Sequence, residues 1–269
     1  RPISAEGKHV MQHSTGYIVG FAAAICLVAS LFVAGSAVGL KDRQDANKLL
    51  DLQKKVLTVS GLMTAGDDLE TEEISALYQS SIRPKTIDLK TGELNADIDP
   101  SAFDQRAASL DEALSFVAPE NLSKIRRLPN NALVFDVMEK GELKAFILPI
   151  EGYGLWGTLY GYLALAPDAR TVVGLTFYEH GETPGLGGEV DNPRWKALWP
   201  GRLAFNERGK PVIGVKKGVA GPVAEDPYNV DGLSGATITS RGVTNLVRFW
   251  LGEDGFGPYL ASYRAQAGV

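Results

Sequence analysis

The stretch "ALVFDVMEKGELKAFILPI", residues 132–150, decides the fold class of this chain. Its two apolar, β-rich runs flank residues 139–141, and a short loop that contains glycine is typical of a β-hairpin. A second pair of β-rich runs, residues 158–166 and 171–179, flanks a four-residue turn at 167–170. β-rich runs joined by such short turns predict an antiparallel meander and not a βαβ unit.

Helical spacing appears on both sides of these runs. Beyond them, Val243, Leu246 and Val247 begin an apolar stripe that continues to Leu251, and Gly252 is a natural stop. The stripe predicts a helix that covers one face of the sheet. Before them, the sequence predicts helices at 44–60 and 71–79, a strand within 85–94 that ends at a Thr91-Gly92 turn, and loops with one short helix at 95–128.

Residues 17–40 carry no charged side chain. A helix of this length, at about 1.5 Å per residue, measures roughly 36 Å and can cross the hydrocarbon core of a membrane. The alternative is a cleaved signal peptide with "AGSA", residues 34–37, as its cleavage site. Because the apolar run is too long for a signal core, we expect an uncleaved anchor. The basic residues on its two sides do not decide its orientation.

The predicted fold is therefore α+β, with one N-terminal transmembrane helix followed by a mostly antiparallel sheet domain with packed helices. We divide the chain into an N-terminal flank (1–16), the anchor (17–40), a membrane-proximal α/β region (41–128) and a C-terminal domain (129–269).

Composition excludes several kinds of function. The net charge of −5 argues against nucleic acid as a partner. A single cysteine, Cys26, excludes an intrachain disulfide framework, and with only three histidines a metal site is not expected. The sequence also lacks a phosphate loop and a dinucleotide-type glycine motif.

The stretch "VDGLSGATITSRGV", residues 230–243, lines the start of the last long helix with hydroxyls and glycines. Ser234, Thr237 and Thr239 have the side chains that cap helices. The same hydroxyls, together with Gly235 and the partial positive charge of a helix N-terminus, are also typical of a phosphate site. From the residues alone, plain capping and phosphate binding both stay open.

Two further loops are unusual. In "EHGETPGLG", residues 179–187, Leu186 stands on a glycine turn, where it either contacts a planar ligand or folds back into the core. The stretch "GYGLWGTLYGY", residues 152–162, includes Trp156 and either lines the same cavity or bends a strand at its glycines.

These motifs resemble those of a known family. Residues 231–237, "DGLSGAT", look like the motif at which a flavin transferase attaches FMN to threonine, and residues 182–187 resemble the companion loop of FMN-binding domains. The whole chain, to "FWLGEDGFGPYL" at 249–260, is similar to the C subunits of bacterial sodium-translocating NADH:quinone reductases. It is less similar to the related G subunits of Rnf complexes. One departure is Gly157, where the resemblance leads us to expect serine.

The resemblance implies that Thr237 carries FMN through a phosphodiester. It also implies that Leu186 packs on the isoalloxazine, that Glu182 and Thr183 bond its polar edge or the ribityl chain, and that Lys217 tunes it by charge. The full set of implied cofactor-binding residues is Thr237, Ser234, Gly235, Ala236, Thr239, Glu182, Thr183, Leu186, Gly187, Lys217 and Trp156.

The resemblance further implies an electron carrier without independent catalysis in a six-subunit NADH:quinone reductase that transports Na⁺. Electrons would pass from a membrane iron–sulfur centre to the FMN of the B subunit, and the nearest partners would be the B, D and E subunits, with a flavin transferase during maturation. The chain would cross the bacterial inner membrane once, with a cytoplasmic N-terminus and a periplasmic domain, 129–269, that binds FMN. The alternatives are an Rnf-type G subunit, which serves ferredoxin–NAD electron transport, and a membrane-tethered assembly module without cofactor.

Overall fold

A computed structural model describes residues 14–64 and 66–268. It separates the chain into two compact units, residues 1–49 and 50–269. Helix α1 (Thr15–Val59) is long and apolar enough to cross a membrane. The predicted anchor and the predicted helix at 44–60 are parts of this one helix, because neither glycine nor proline interrupts residues 41–59. Of the predicted N-terminal flank, residues 1–13 lie outside the described residues.

The remaining elements all belong to the second unit. In chain order they are α2 (Thr71–Ser81), β1 (Ile82–Asp88), α3 (Gln105–Leu110), β2 (Ser115–Val117), β3 (Arg127–Pro129), β4 (Asn131–Glu139), β5 (Glu142–Tyr153), β6 (Thr158–Leu165), β7 (Val172–Glu179), a 3₁₀ helix (Gly187–Asp191), α4 (Pro193–Lys196), β8 (Gly214–Val215), β9 (Asn229–Val230), α5 (Thr237–Leu251) and α6 (Gly257–Ala267).

The central sheet has five strands in the order β1-β4-β5-β6-β7, and every neighbouring pair is antiparallel. The predicted meander of four strands is confirmed as β4 to β7. β1, from the predicted membrane-proximal region, pairs with β4 from Ile82↔Val137 to Asp88↔Asn131 and so forms an edge of the same sheet. The expected strand at 85–94 is too long, because the chain turns after Asp88 through Gly92, whose φ is +74°.

Both faces of the sheet are covered. On one face, α5 contributes Val243, Leu246 and Trp250 to a core that also contains Phe146 and Phe177 of the strands. On the other face lie the last turns of α1, with Leu57, and Ile74 of α2. Burial of each such side chain stabilises the fold by about 1.5–3 kcal/mol, so the sheet is held from both sides.

Several short elements were not expected. Residues 95–128 contain the predicted short helix, α3, but also β2, which pairs with β3. β8 and β9 form a two-residue parallel pair. Runs of two or three residues are too short for a hydrophobic period to be recognised. β9 leads directly into the loop that precedes α5, so this pair fixes where that loop begins.

Candidate functional site

Helix α5 begins at Thr237, and none of the side chains that the structure describes caps its N-terminus. Thr237 is exposed, whereas Thr239 is fully buried and its hydroxyl donates to Oε2 of Glu182 at 2.5 Å. The hydroxyl of Ser240 accepts a hydrogen bond from the backbone N–H of Leu233 at 3.1 Å. The alternative of plain capping is therefore wrong, and the first N–H groups of the helix remain available to a ligand.

A groove of about 580 Å³ opens at this helix end. Lys217 and Arg241 bring two cations to it, and within the part of the chain that the structure describes neither forms an ion pair. The neighbouring Lys216 is instead paired with Asp226 at 3.0 Å. The groove is lined by Val215, Lys216, Lys217, Gly218, Val219, Asp231, Gly232, Leu233, Ser234, Gly235, Thr237, Ser240 and Arg241.

Leu186 lies beside the start of α5. It is 45% exposed, so the alternative in which it folds back into the core is wrong. Its turn is closed by hydrogen bonds from the N–H groups of Leu186 and Gly188 to the carbonyl of Thr183, at 3.1 and 2.9 Å. A Cβ atom at Gly235 would lie 2.9 Å from Cδ2 of Leu186, so glycine at 235 lets the two loops approach each other.

Glu182 occupies the interior of this region and is only 6% exposed. Its Oε1 accepts the backbone N–H groups of Leu155 and Trp156 at 2.8 and 3.0 Å, and its Oε2 accepts the Thr239 hydroxyl. These contacts, which sequence reasoning missed, engage the carboxyl group within the protein. The expectation that Glu182 bonds a cofactor stays a prediction.

The other expected residues differ in exposure. Thr183 is exposed, and Gly187 and Ala236 are buried. Trp156 is 65% exposed, although its backbone N–H donates to Oε1 of Glu182. The structure thus brings the loop at 154–157, the turn at 183–187 and the start of α5 together around Glu182.

The residues present fit an FMN group. A helix N-terminus with free N–H groups and two nearby cations matches a phosphate. The exposed Leu186 offers an apolar surface of the kind that a flavin ring needs, and the groove volume is within the range of cofactor sites. The geometry therefore supports a cofactor with a phosphate at one end and a planar ring at the other.

The part of the chain that contains this groove matches, over residues 154–252, the family described as the FMN-binding domain. The fold and the groove are therefore those of an FMN-binding domain. The C subunit of the Na⁺-translocating NADH-quinone reductase of Pseudomonas aeruginosa is 47% identical over 94% of this chain and 97% of its own length. The C subunit of the same reductase from Yersinia pestis is 44% identical over 90% and 91% of the two chains. The chain belongs to the family of these C subunits, which are parts of an oxidoreductase complex.

Solved structures agree with this assignment. The crystal structure of NqrC from Shewanella oneidensis superposes with a TM-score of 0.75 at 36% identity, covering 82% of this chain and 99% of that one. The C subunit of the Na⁺-translocating NADH-quinone reductase from Parabacteroides distasonis gives a TM-score of 0.63 at 26% identity, with 82% and 96% covered. The predicted α+β fold and the predicted family resemblance are both confirmed.

Proposed function

We propose that this chain is the electron-carrying subunit of a membrane complex that couples NADH oxidation and quinone reduction to Na⁺ transport, with FMN attached covalently to Thr237. A phosphodiester to the threonine hydroxyl would form the link. When bound, FMN supplies the redox chemistry, and the protein supplies its position and environment.

One observation carries the choice of Thr237. Thr237 is exposed at the first position of an uncapped helix, beside the groove, while the buried Thr239 has its hydroxyl committed to Glu182. A transferase can reach the first hydroxyl and not the second. Ser234 and Gly235, both exposed, leave the approach to Thr237 open.

The charges around Thr237 suit a phosphodiester, which keeps one negative charge. The N-terminus of α5 stabilises such a charge by about 0.3–1 kcal/mol. Lys217 and Arg241 line the same groove and add to this attraction. Contributions of this size are too weak to retain a cofactor for the life of the protein, which is the physical reason for a covalent link.

Family membership and helix α1 support the rest of the proposal. The electrons come from an iron–sulfur centre in the membrane and pass to the FMN of the B subunit. The B, D and E subunits are the neighbours in the complex, and a flavin transferase modifies the chain during maturation. Because that enzyme acts outside the cytoplasm, the domain that carries Thr237 is periplasmic and the N-terminus is cytoplasmic.

The test is to coexpress the full chain with a flavin transferase and to weigh the peptide that spans residues 230–241. We expect the mass of FMN on this peptide in the wild type and a fluorescent band on a denaturing gel. Thr237→Val keeps the shape of threonine and lacks the nucleophile, so attachment is lost while the circular dichroism spectrum is unchanged. Ser234→Ala, which removes another exposed hydroxyl of the groove, is the control and stays fluorescent.

Two results would contradict the proposal. Normal attachment in Thr237→Val would show that another hydroxyl is the acceptor, and Thr239 would be tested next. A colourless wild-type chain after coexpression would favour the alternative of an assembly module without cofactor.

A further inference from the structure

The geometry points to Glu182 as a positioning residue, whose buried carboxyl group holds the three segments of the flavin site in one arrangement and does not itself contact the flavin. The inference rests on the proposed function, because the arrangement matters for FMN at Thr237. It assigns to Glu182 a role different from the contact with the flavin ring or ribityl chain that the sequence suggests.

The contacts of the carboxyl group join distant parts of the chain. Oε1 accepts two backbone N–H groups, from Leu155 and Trp156, which are 27 and 26 residues earlier in the sequence. Oε2 accepts the hydroxyl of Thr239, 57 residues later. Thr239 lies two residues after Thr237 in the first turn of α5. The carboxyl group therefore links the loop at 154–157 to the helix turn that presents the acceptor threonine.

Two glycines leave the space that the carboxyl group occupies. A Cβ atom at Gly154 would lie 2.5 Å from Oε1 of Glu182, and a Cβ atom at Gly187 would lie 2.4 Å from Oε2. Real Cβ contacts are longer than this, so any side chain at either position would displace the carboxyl group. Gly187 directly follows Leu186, so the same interaction also sets the position of the apolar side chain beside the groove.

The backbone of Glu182 is fixed as well. Its N–H donates to Nδ1 of His180 at 3.2 Å, and Nε2 of His180 is 2.8 Å from Oδ2 of Asp191. A ring nitrogen that accepts a hydrogen bond carries no proton, so Nε2 of His180 is the donor to Asp191. The backbone and the side chain of Glu182 are thus each held by their own partners, and a group with every bond directed into the protein is suited to orient others.

Substitution of Glu182 by glutamine or by aspartate distinguishes a role of the carboxyl group in positioning from a role of its negative charge. In Glu182→Gln the amide oxygen can still accept the two N–H groups, and the amide NH₂ can donate to the Thr239 hydroxyl, which then reverses its role. Glu182→Asp keeps the charge but is one methylene shorter and cannot reach both sides. If the role is positioning, glutamine preserves the site and aspartate disrupts it; if the role is charge, the order is reversed.

The experiment uses the full chain in detergent, coexpressed with the flavin transferase, and measures the rate of attachment at Thr237 per folded protein and the midpoint potential of the attached flavin. We expect Glu182→Asp to slow attachment by about tenfold or more, since small misplacements of a reacting group have effects of this size. We expect Glu182→Gln to stay within about threefold of the wild type, with an unchanged potential. Glu189→Gln, in the 3₁₀ helix that follows the Leu186 turn and bonded to Asn192, is the matched control.

A second measurement does not depend on flavin. In the Thr237→Val background, hydrogen exchange of the peptide that contains Leu155 and Trp156 is followed by mass spectrometry. Glu182→Asp is expected to speed exchange at these two amides by about tenfold or more, and Glu182→Gln is expected to preserve their protection. If neither substitution changes the exchange, Glu182 does not hold this loop and the inference is wrong.

The outcomes distinguish this inference from the proposed function. A wild-type chain without flavin contradicts the proposed function, while the exchange measurement still decides whether Glu182 holds the loop. Attachment and potential that follow charge, with glutamine impaired and aspartate normal, overturn the positioning role. Attachment that is equal in all variants also overturns it.

Discussion

The candidate site depends on glycine at position 187, because any side chain there would collide with its neighbours. Its neighbours are the carboxyl group of Glu182 and the hydroxyl of Thr239, at 2.4 and 2.6 Å from the position of a Cβ atom. The sequence identified this glycine as part of a family motif. It did not reveal that the carboxyl group of Glu182 is buried against Thr239, because partners 57 residues apart leave no local pattern.

Replacement of Gly187 by alanine is therefore expected to destabilise the domain by about 1–3 kcal/mol, since the added methyl group must displace a buried, hydrogen-bonded carboxyl group. Gly181 is the control, because a Cβ atom there meets nothing within 4 Å, and its change to alanine is expected to stay within about 0.5 kcal/mol. Urea unfolding of residues 50–269, the second compact unit, measures both. Equal midpoints for the two variants would contradict the packing argument.

Glu151 gives a prediction that depends on pH. Burial raises the pKa of its carboxyl group, and the nearby Arg106 opposes this in part. A carboxyl group whose pKa is higher in the folded state contributes its full stability below its ordinary pKa and loses it as the pH rises through the raised pKa. Glu151→Gln is thus expected to be more stable than the wild type at neutral pH, with a difference that disappears at a pH below about 4.3.

Urea titrations across this range measure the difference in the free energy of unfolding. The same substitution at the exposed Glu225, Glu225→Gln, is the control. A wild-type chain that is as stable as Glu151→Gln at neutral pH would show that the carboxyl group is not destabilised by burial.

The helices and strands differ in how well the sequence predicts them. α5 and the meander β4 to β7 were predictable, because each has a regular apolar period and a clear turn or stop. α6 was missed, since Tyr259 and Leu260 are its only buried side chains among the described residues and give no stripe. The pairing of β1 with β4 was also missed, because it joins segments more than 40 residues apart through contacts that no local pattern encodes.

Substitution of Gly242 tests how closely helix α5 packs against the backbone of residues 153–154. Alanine favours an isolated helix over glycine by about 1 kcal/mol. Here a Cβ atom would lie 2.6 Å from the carbonyl oxygen of Tyr153 and 3.0 Å from Cα of Gly154, and backbone atoms cannot move aside as a flexible side chain can. We expect the collision to outweigh propensity, so Gly242→Ala destabilises the domain by about 1–3 kcal/mol.

The control for Gly242 is Arg241→Ala, one position earlier on the exposed side of the same helix, with an expected change within about 0.5 kcal/mol. Thermal unfolding compares the two variants. A stabilised Gly242→Ala chain would mean that α5 can shift away from the 153–154 backbone without loss.

The chain as a whole combines an apolar helix with an FMN-binding domain, and each part limits what the other can do. Helix α1 fits membrane anchoring, and its most apolar window has a mean hydropathy of 2.5. A domain tethered in this way can reach only partners at the same membrane surface. Under the proposed function, the side of the membrane on which Thr237 lies determines which enzyme would modify it, and the basic residues that flank the helix do not reveal that side.

Orientation can be measured because the chain has one cysteine, Cys26, inside the apolar segment. In a Cys26→Ser background, Ser101→Cys places one thiol at an exposed position of the second compact unit, and Ser14→Cys places one at an exposed position before α1. If the domain is periplasmic, a membrane-impermeant maleimide added to spheroplasts labels the thiol at position 101 at once. The thiol at position 14 is labelled only after lysis, because the reagent must first reach the cytoplasm. The reverse pattern would place Thr237 on the cytoplasmic side, out of reach of a transferase that acts outside the cytoplasm, and the proposed route of FMN attachment would then be wrong.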